Sequence, residues 1–183
     1  ITDNQGKVYY TRNQHLASSL KIDEYTSGNT DTVFVINNLF TSVSLLYNQR
    51  EAVVANNTFT VTNISDVLHF KGSSTLHNTN AHVYNNIFQQ LGAGNIYNVS
   101  GDYLSLTADY NIYYAIDSIL NGGYTNNSIF TFPLTLSTWQ SLSGNDANSV
   151  WHKLKLPANG YQLLPYQQNL VANGNGMALA WIT

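Results

Sequence analysis

The chain has 183 residues, 43% of them apolar and 9% charged, with a net charge of −3 at pH 7. That length fits one domain with a sizeable core, and a mildly acidic chain without Lys/Arg clusters lacks the charge that nucleic acid requires. No apolar run reaches the roughly 18 residues needed to span a bilayer, and the absence of Cys removes disulfide and thiol chemistry.

Short β-branched and aromatic runs follow one another. Val8-Tyr9-Tyr10 is the first. Val33–Ile36 leads into Asn37-Asn38-Leu39-Phe40, and Val53–Ala55 leads into Asn56-Asn57-Thr58-Phe59. After Val67–Phe70, His82-Val83-Tyr84 leads into Asn85-Asn86-Ile87-Phe88, and Leu104–Thr107 precedes Tyr110-Asn111-Ile112-Tyr113. Leu45-Leu46-Tyr47 and Ile96–Val99 read as further strands. Runs of this kind bounded by Asn, Ser, Gly and Thr are strand signals. No window carries a sustained helical apolar period with caps, so almost no helix is expected.

The second Asn of each motif falls at positions 38, 57, 86 and 111, in steps of 19, 29 and 25 residues. A short motif returning at such intervals predicts stacked repeats with loops of variable length at one corner. The aromatic side chains should point inward and stack across strands about 4.8 Å apart. Asn tolerates the left-handed backbone of a sharp corner, and stacked Asn side chains can form a hydrogen-bonded ladder. The expected fold is all-β, a parallel β-helix (solenoid) over residues 1–120. An antiparallel sandwich is the rival, disfavoured because the tight-hairpin pairs Asn-Gly and Asp-Gly are absent from these corners. From Gly122-Gly123 onward the pattern breaks. Residues 121–183 read as an irregular closing segment of the same domain, with a loop at Gly144–Ser149 and a last strand from Trp151.

Asp109-Tyr110-Asn111-Ile112-Tyr113-Tyr114, followed by Trp139-Gln140-Ser141-Leu142-Ser143-Gly144-Asn145-Asp146-Ala147-Asn148-Ser149, resembles the C-terminal part of bacterial right-handed parallel β-helix proteins. That family includes polysaccharide lyases, glycoside hydrolases, epimerases and members of no known activity. The resemblance implies a right-handed solenoid, an extracellular or cell-surface location and a polysaccharide partner. It also implies further coils, of a longer chain or of another subunit, covering the first coil. The chain departs from the family in its small number of coils, and Val150-Trp151-His152 stands where the family has a D-P-x-F segment.

Charged residues are few enough to weigh one by one. Asp66, His69 and Lys71 are close in sequence, with His77 and His82 following. His69 and Lys71 share one strand face by alternation. On a lyase surface Lys71 or His69 would act as base and Arg50 would neutralise a substrate carboxylate, with Asp66 beside them. An ordinary solvated strand face is the competing reading there, and a non-catalytic structural or adhesive β-helix, or a sugar-binding module, is the alternative to an enzyme. His77, His82 and Trp151 are the candidate sugar contacts. Asp23-Glu24 suits a glycosidase poorly, because strand neighbours point to opposite faces. No cofactor is expected. Calcium needs converging oxygen ligands, and Asp102, Asp109, Asp117 and Asp146 are scattered, with Asp146 expected to cap a turn.

Overall fold

A computed structural model of the chain describes residues 7–15, 20–23, 32–41, 44–47, 51–63, 65–71, 80–100, 105–115, 118–121, 124–125, 128–129 and 135–152. The strands come in triplets. The first is β1 (Lys7–Thr11), β2 (Gln14–His15) and β3 (Leu20–Asp23). The second is β4 (Thr32–Ile36), β5 (Leu39–Phe40) and β6 (Ser44–Tyr47), and the third is β7 (Glu51–Ala55), β8 (Thr58–Val61) and β9 (Leu68–Lys71). The fourth is β10 (Asn80–Tyr84), β11 (Ile87–Gln90) and β12 (Asn95–Ser100), and the fifth is β13 (Ser105–Asp109), β14 (Ile112–Ala115) and β15 (Ser118–Asn121). There follow a short pair, β16 (Tyr124–Thr125) and β17 (Ser128–Ile129), then helix α1 (Leu136–Ser143) and strand β18 (Val150–Trp151).

Equivalent strands of successive triplets pair with one another. The first sheet runs β1-β4-β7-β10-β13, the second β2-β5-β8-β11-β14-β18, and the third β3-β6-β9-β12-β15. Every pairing within these sheets is parallel; among the described residues only β16–β17 is antiparallel. The protein is therefore mostly β, with parallel sheets, and the antiparallel rival is excluded for the strands of these three sheets.

Register follows the sequence motif. Phe40, Phe59, Phe88 and Tyr113 are in-register partners on the second sheet, all fully buried. Their rings stack at 4.8, 4.9 and 5.4 Å with interplanar angles of 11° or less. On the first sheet the aliphatic residues Val33, Val35, Ala52, Val54, Ala81, Val83, Leu106 and Ala108 face the same core. Alternation along these strands is what sends one set inward and leaves the other outside.

The corner between the first and second sheets is held by amides. Asn38, Asn57, Asn86 and Asn111 are buried. Each side-chain oxygen accepts from the backbone N–H of the preceding Asn at 2.9 Å and from its Nδ2 at 3.0–3.2 Å, starting from Asn13. The second Nδ2 proton of each of these four goes to a strand carbonyl, of Tyr10, Val35, Val54 or Val83, at 2.8–2.9 Å. The residue just before each ladder Asn has the left-handed backbone: φ is 59° at Arg12, 57° at Asn37, 55° at Asn56, 56° at Asn85 and 57° at Tyr110. Three of these five are Asn, the residue that tolerates this region best after Gly.

Two glycines mark a close approach. The link from β11 to β12 lies on the backbone between β8 and β9, where a Cβ on Gly92 would meet Asn63 O at 1.9 Å and one on Gly94 would meet Ser65 O at 2.3 Å. The closing segment contains a helix the sequence pattern did not suggest. Thr135 caps it by accepting from Thr138 N at 3.3 Å, and Gly144 ends it with φ 71°. Leu136 and Trp139 are its buried side chains. The last described strand is the short β18, which extends the second sheet beside β14.

Candidate functional site

The outer face of the first sheet carries an open groove of about 540 Å³. Its rows are set by register. Lys7, Thr32, Glu51 and Asn80 form one outward row, and Tyr9, Phe34, Val53 and His82 form the next. The floor is apolar: Val53 is buried and packs with Ile36 and Ala55, and Phe34 lies against them. Tyr9 stacks on Phe34 at 4.7 Å and 6°, yet is 62% exposed. One wall is therefore aromatic and open to solvent.

The polar groups of the groove converge on Glu51. His82 Nε2 lies 3.6 Å from Glu51 Oε1, and Thr32 Oγ1 donates to Glu51 Oε2 at 3.3 Å. Both members of the His82–Glu51 pair are partly exposed, so their attraction contributes about 1 kcal/mol or less to stability. The His82 ring also stacks with Tyr84, centroids 6.3 Å apart. Burial, with the Asp109 carboxylate nearby, raises the Tyr84 phenol above its usual range, so it stays a neutral donor. Lys7 is two strands from Glu51 along its row, roughly 9–10 Å at the usual strand spacing.

The candidates named from sequence fall in different places. Asp66 precedes β9 and accepts from Asn95 N and Nδ2, both at 2.9 Å, and from Asn98 Nδ2 at 2.5 Å. Its carboxylate joins one triplet to the next. His69 and Lys71 lie on β9 in the third sheet, paired in register with Asn98 and Ser100, while Leu68 and Phe70 face inward as alternation requires. His82 is on the first sheet, so it is not joined to His69 and Lys71. Trp151 ends the second sheet, 41% exposed and 6.1 Å from Tyr114. Arg50 and His77 lie outside the described residues.

Lys7, Tyr9, Phe34 and Tyr84 were not candidates from sequence. Their signal was available in the alternation of Val8-Tyr9-Tyr10 and Val33-Phe34-Val35, which puts Tyr9 and Phe34 opposite the core side. Neither strand carries a charge constellation that draws attention to it. Among the described residues no group of three His, Asp or Glu is placed to hold a metal ion, and no helix is long and apolar enough to cross a membrane.

A second polar cluster is closed to solvent. Asp146, 1% exposed, ends the amide ladder. Its Oδ1 accepts from Asn111 Nδ2 (3.0 Å), Tyr113 OH (2.9 Å) and Ser149 Oγ (2.6 Å), and its Oδ2 accepts from Trp139 Nε1 (2.8 Å). Ser149 Oγ in turn accepts from Asn111 N at 2.8 Å. Tyr97 OH and Tyr113 OH lie 2.5 Å apart. Burial raises the Asp146 carboxyl above its ordinary value, opposed by its four donors. Burial likewise drives the Tyr97 and Tyr113 phenols well above theirs. With Tyr97, Tyr113 and Trp139 fully buried, a substrate has no path to this cluster.

No family model, curated protein or solved structure matches the chain.

Proposed function

We propose that this protein is a right-handed parallel β-helix of an extracellular type, and that the groove on its first sheet binds a polysaccharide. A chain that visits three parallel sheets in fixed order, with in-register Asn and Phe rows, is what successive coils produce. The observation that carries the functional reading is the groove itself: an apolar floor of Phe34 and Val53, the exposed Tyr9 ring, and Thr32, Glu51 and His82 beside them. Sugars present C–H faces and hydroxyls together, and an aromatic wall with a few convergent polar groups answers both.

This face is preferred to the Asp66–His69–Lys71 strand because the Asp66 carboxylate is already held by three amide donors. Binding is preferred to hydrolysis because glycosidases use two carboxylates across the cleft, and the described groove holds one, Glu51. A lyase is the second reading. It is favoured by Lys7 and His82 on one face, a cation for a substrate carboxylate and a proton acceptor.

Calorimetry against a panel of neutral and uronate-containing polysaccharides tests both. Binding that weakens about tenfold in Tyr9→Ala, without cleavage, is the expected result. Release of unsaturated chain ends would instead establish the lyase, and full binding by a Tyr9→Ala/Phe34→Ala double variant would remove the groove from either reading.

A further inference from the structure

We propose that the groove seats one uncharged pyranose ring edge-on over Val53, between Phe34 and His82, and that this ring is a chain end or a single-sugar branch. This rests on the polysaccharide reading of the groove and names the part of the chain that it recognises. The inward row of the second sheet carries a ring on every strand from β5 to β14: Phe40, Phe59, Phe88 and Tyr113 stack at 4.8, 4.9 and 5.4 Å. The outward row of the first sheet is Tyr9, Phe34, Val53 and His82, also in register. Tyr9 and Phe34 stack at 4.7 Å. On β7 the row holds Val in place of a ring, and on β10 a ring returns. Phe34 and His82 lie on strands two spacings apart, roughly 9–10 Å, which leaves one ring position between them. All three residues line the groove.

The gap is a pit rather than a channel. Val53, itself buried, is its floor. Along β7 it is bounded on one side by Glu51, whose carboxylate accepts from Thr32 Oγ1 on β4 at 3.3 Å and lies 3.6 Å from His82 Nε2 on β10, so it spans both walls. On the other side Ile36 and Ala55 are buried, so the pit stops short of them. A ring linked at two opposite edges needs an exit for the chain at each, and the pit has one, toward solvent. It therefore accepts a ring with a single linkage, entering edge first. The C–H faces of a pyranose meet the Phe34 and His82 rings, and hydroxyls at its edge donate to Glu51. Tyr84, a neutral donor, lines the same groove and can give its proton to a sugar oxygen. A uronate in this position would set its carboxylate against that of Glu51, which is why the ring is uncharged.

Val53→Phe puts the protein's own ring where the ligand's would sit. For each polysaccharide of the panel that the parent binds, the expected result is a loss of affinity of about tenfold or more, with Tm at or above the parent's. Val53→Ala, which only deepens the floor, should bind within about threefold of the parent. Parent-like affinity in a folded Val53→Phe variant would overturn the seat. NMR of the parent with bound oligosaccharide gives the same test without any variant: NOEs from the Val53 methyls should reach protons of a neutral terminal or branch ring. NOEs to a ring linked on both sides, NOEs to a uronate, or none from a chain that binds, would overturn it as well. The two readings fail separately. Binding that Tyr9→Ala weakens and Val53→Phe does not removes only the seat, whereas a parent that binds no member of the panel removes the groove reading and the seat with it.

Discussion

Asp146 is the residue whose replacement tests the architecture most sharply. Four donors converge on its carboxylate, three on Oδ1 and the Trp139 indole on Oδ2. In Asp146→Asn the amide oxygen can keep the triple site, which turns its NH₂ toward Trp139 Nε1–H. Indole N–H is a donor only, so two buried donors face each other, at a cost of about 1–3 kcal/mol. In Asp146→Ala, Ser149 can rotate and Tyr113 can turn to Tyr97, but Asn111 Nδ2–H and Trp139 Nε1–H lose their acceptor. That variant should be less stable by about 3–5 kcal/mol. The penalty also depends on pH. Burial raises the folded-state pKa of Asp146 above its ordinary value of 3.8. Its contribution is thus full below the unfolded pKa and declines as pH rises through the folded one. The Asn variant lacks that decline, so its deficit is largest in acid and shrinks toward neutrality. Urea unfolding of both variants over a pH series, followed by Trp fluorescence, measures both effects. An Ala variant within about 0.5 kcal/mol of the parent, or an Asn deficit that grows with pH, would refute the reasoning.

Four further outcomes follow from the same contacts. Phe59→Ala removes an inner ring of the four-ring buried stack and should cost about 3–5 kcal/mol by urea unfolding. Asn57→Ala breaks a buried rung on both sides and should cost about 2–4 kcal/mol, whereas Asn13→Ala, at the first described and only partly buried rung, should cost under about 1 kcal/mol; equal losses would contradict the difference in burial between the two rungs. Gly92→Ala puts a Cβ 1.9 Å from the Asn63 carbonyl oxygen, so the link must shift, and a reduced Tm should result while Ala93→Ser is neutral. Glu51→Gln should leave stability within about 0.5 kcal/mol but weaken the proposed polysaccharide binding in calorimetry, because the group it pairs with, His82, lines the groove.

The motif Asn-Asn-x-Phe announced the parallel stack because both of its functions are local: an Asn that tolerates φ near 57° and a Phe two residues on from the buried Asn. The first copy, Arg12-Asn13-Gln14-His15, escaped notice because it keeps only the ladder Asn. Arg12 holds the left-handed position at φ 59°, and His15 stands in register with Phe40 where the later triplets have an aromatic of the stack. Helix α1 was equally hard to read. Its eight residues are rich in Ser and Thr, poor helix formers, and its stability comes from tertiary contacts of Trp139 that no local pattern shows. The role of Asp146 was opaque for a related reason: a loop Asp reads as a turn cap until Asn111, Tyr113, Trp139 and Ser149 are brought around it. Those residues are also the ones that carried the family resemblance. The groove was the least legible part, since its polar pair joins Glu51 and His82, 31 positions apart in sequence, and only strand pairing makes them neighbours.

The ladder and the groove are physically linked. The carboxylate at one end of a row of aligned amides sits where the backbone N–H and one Nδ2 proton of each rung point, so it polarises the bonds behind it. Each rung fixes the corner from which a strand of the first sheet hands over to the second. If a rung is lost, the register of its strand with the next is no longer pinned at that corner, and a slip of one residue would exchange inward and outward side chains. In β7 such a slip would turn Glu51 and Val53 into the core and bring Ala52 and Val54 outside. The outward spacing that puts Glu51 beside His82 thus depends on Asn57 and Asn86, buried on the other side of the corner from the groove. If the groove binds polysaccharide as proposed, Asn86→Ala should therefore weaken that binding through changed side-chain positions on β7 and β10, even under conditions where the chain remains folded. Chemical shifts of Val53 and His82 unchanged from the parent in that variant would show that the groove holds its geometry without the ladder.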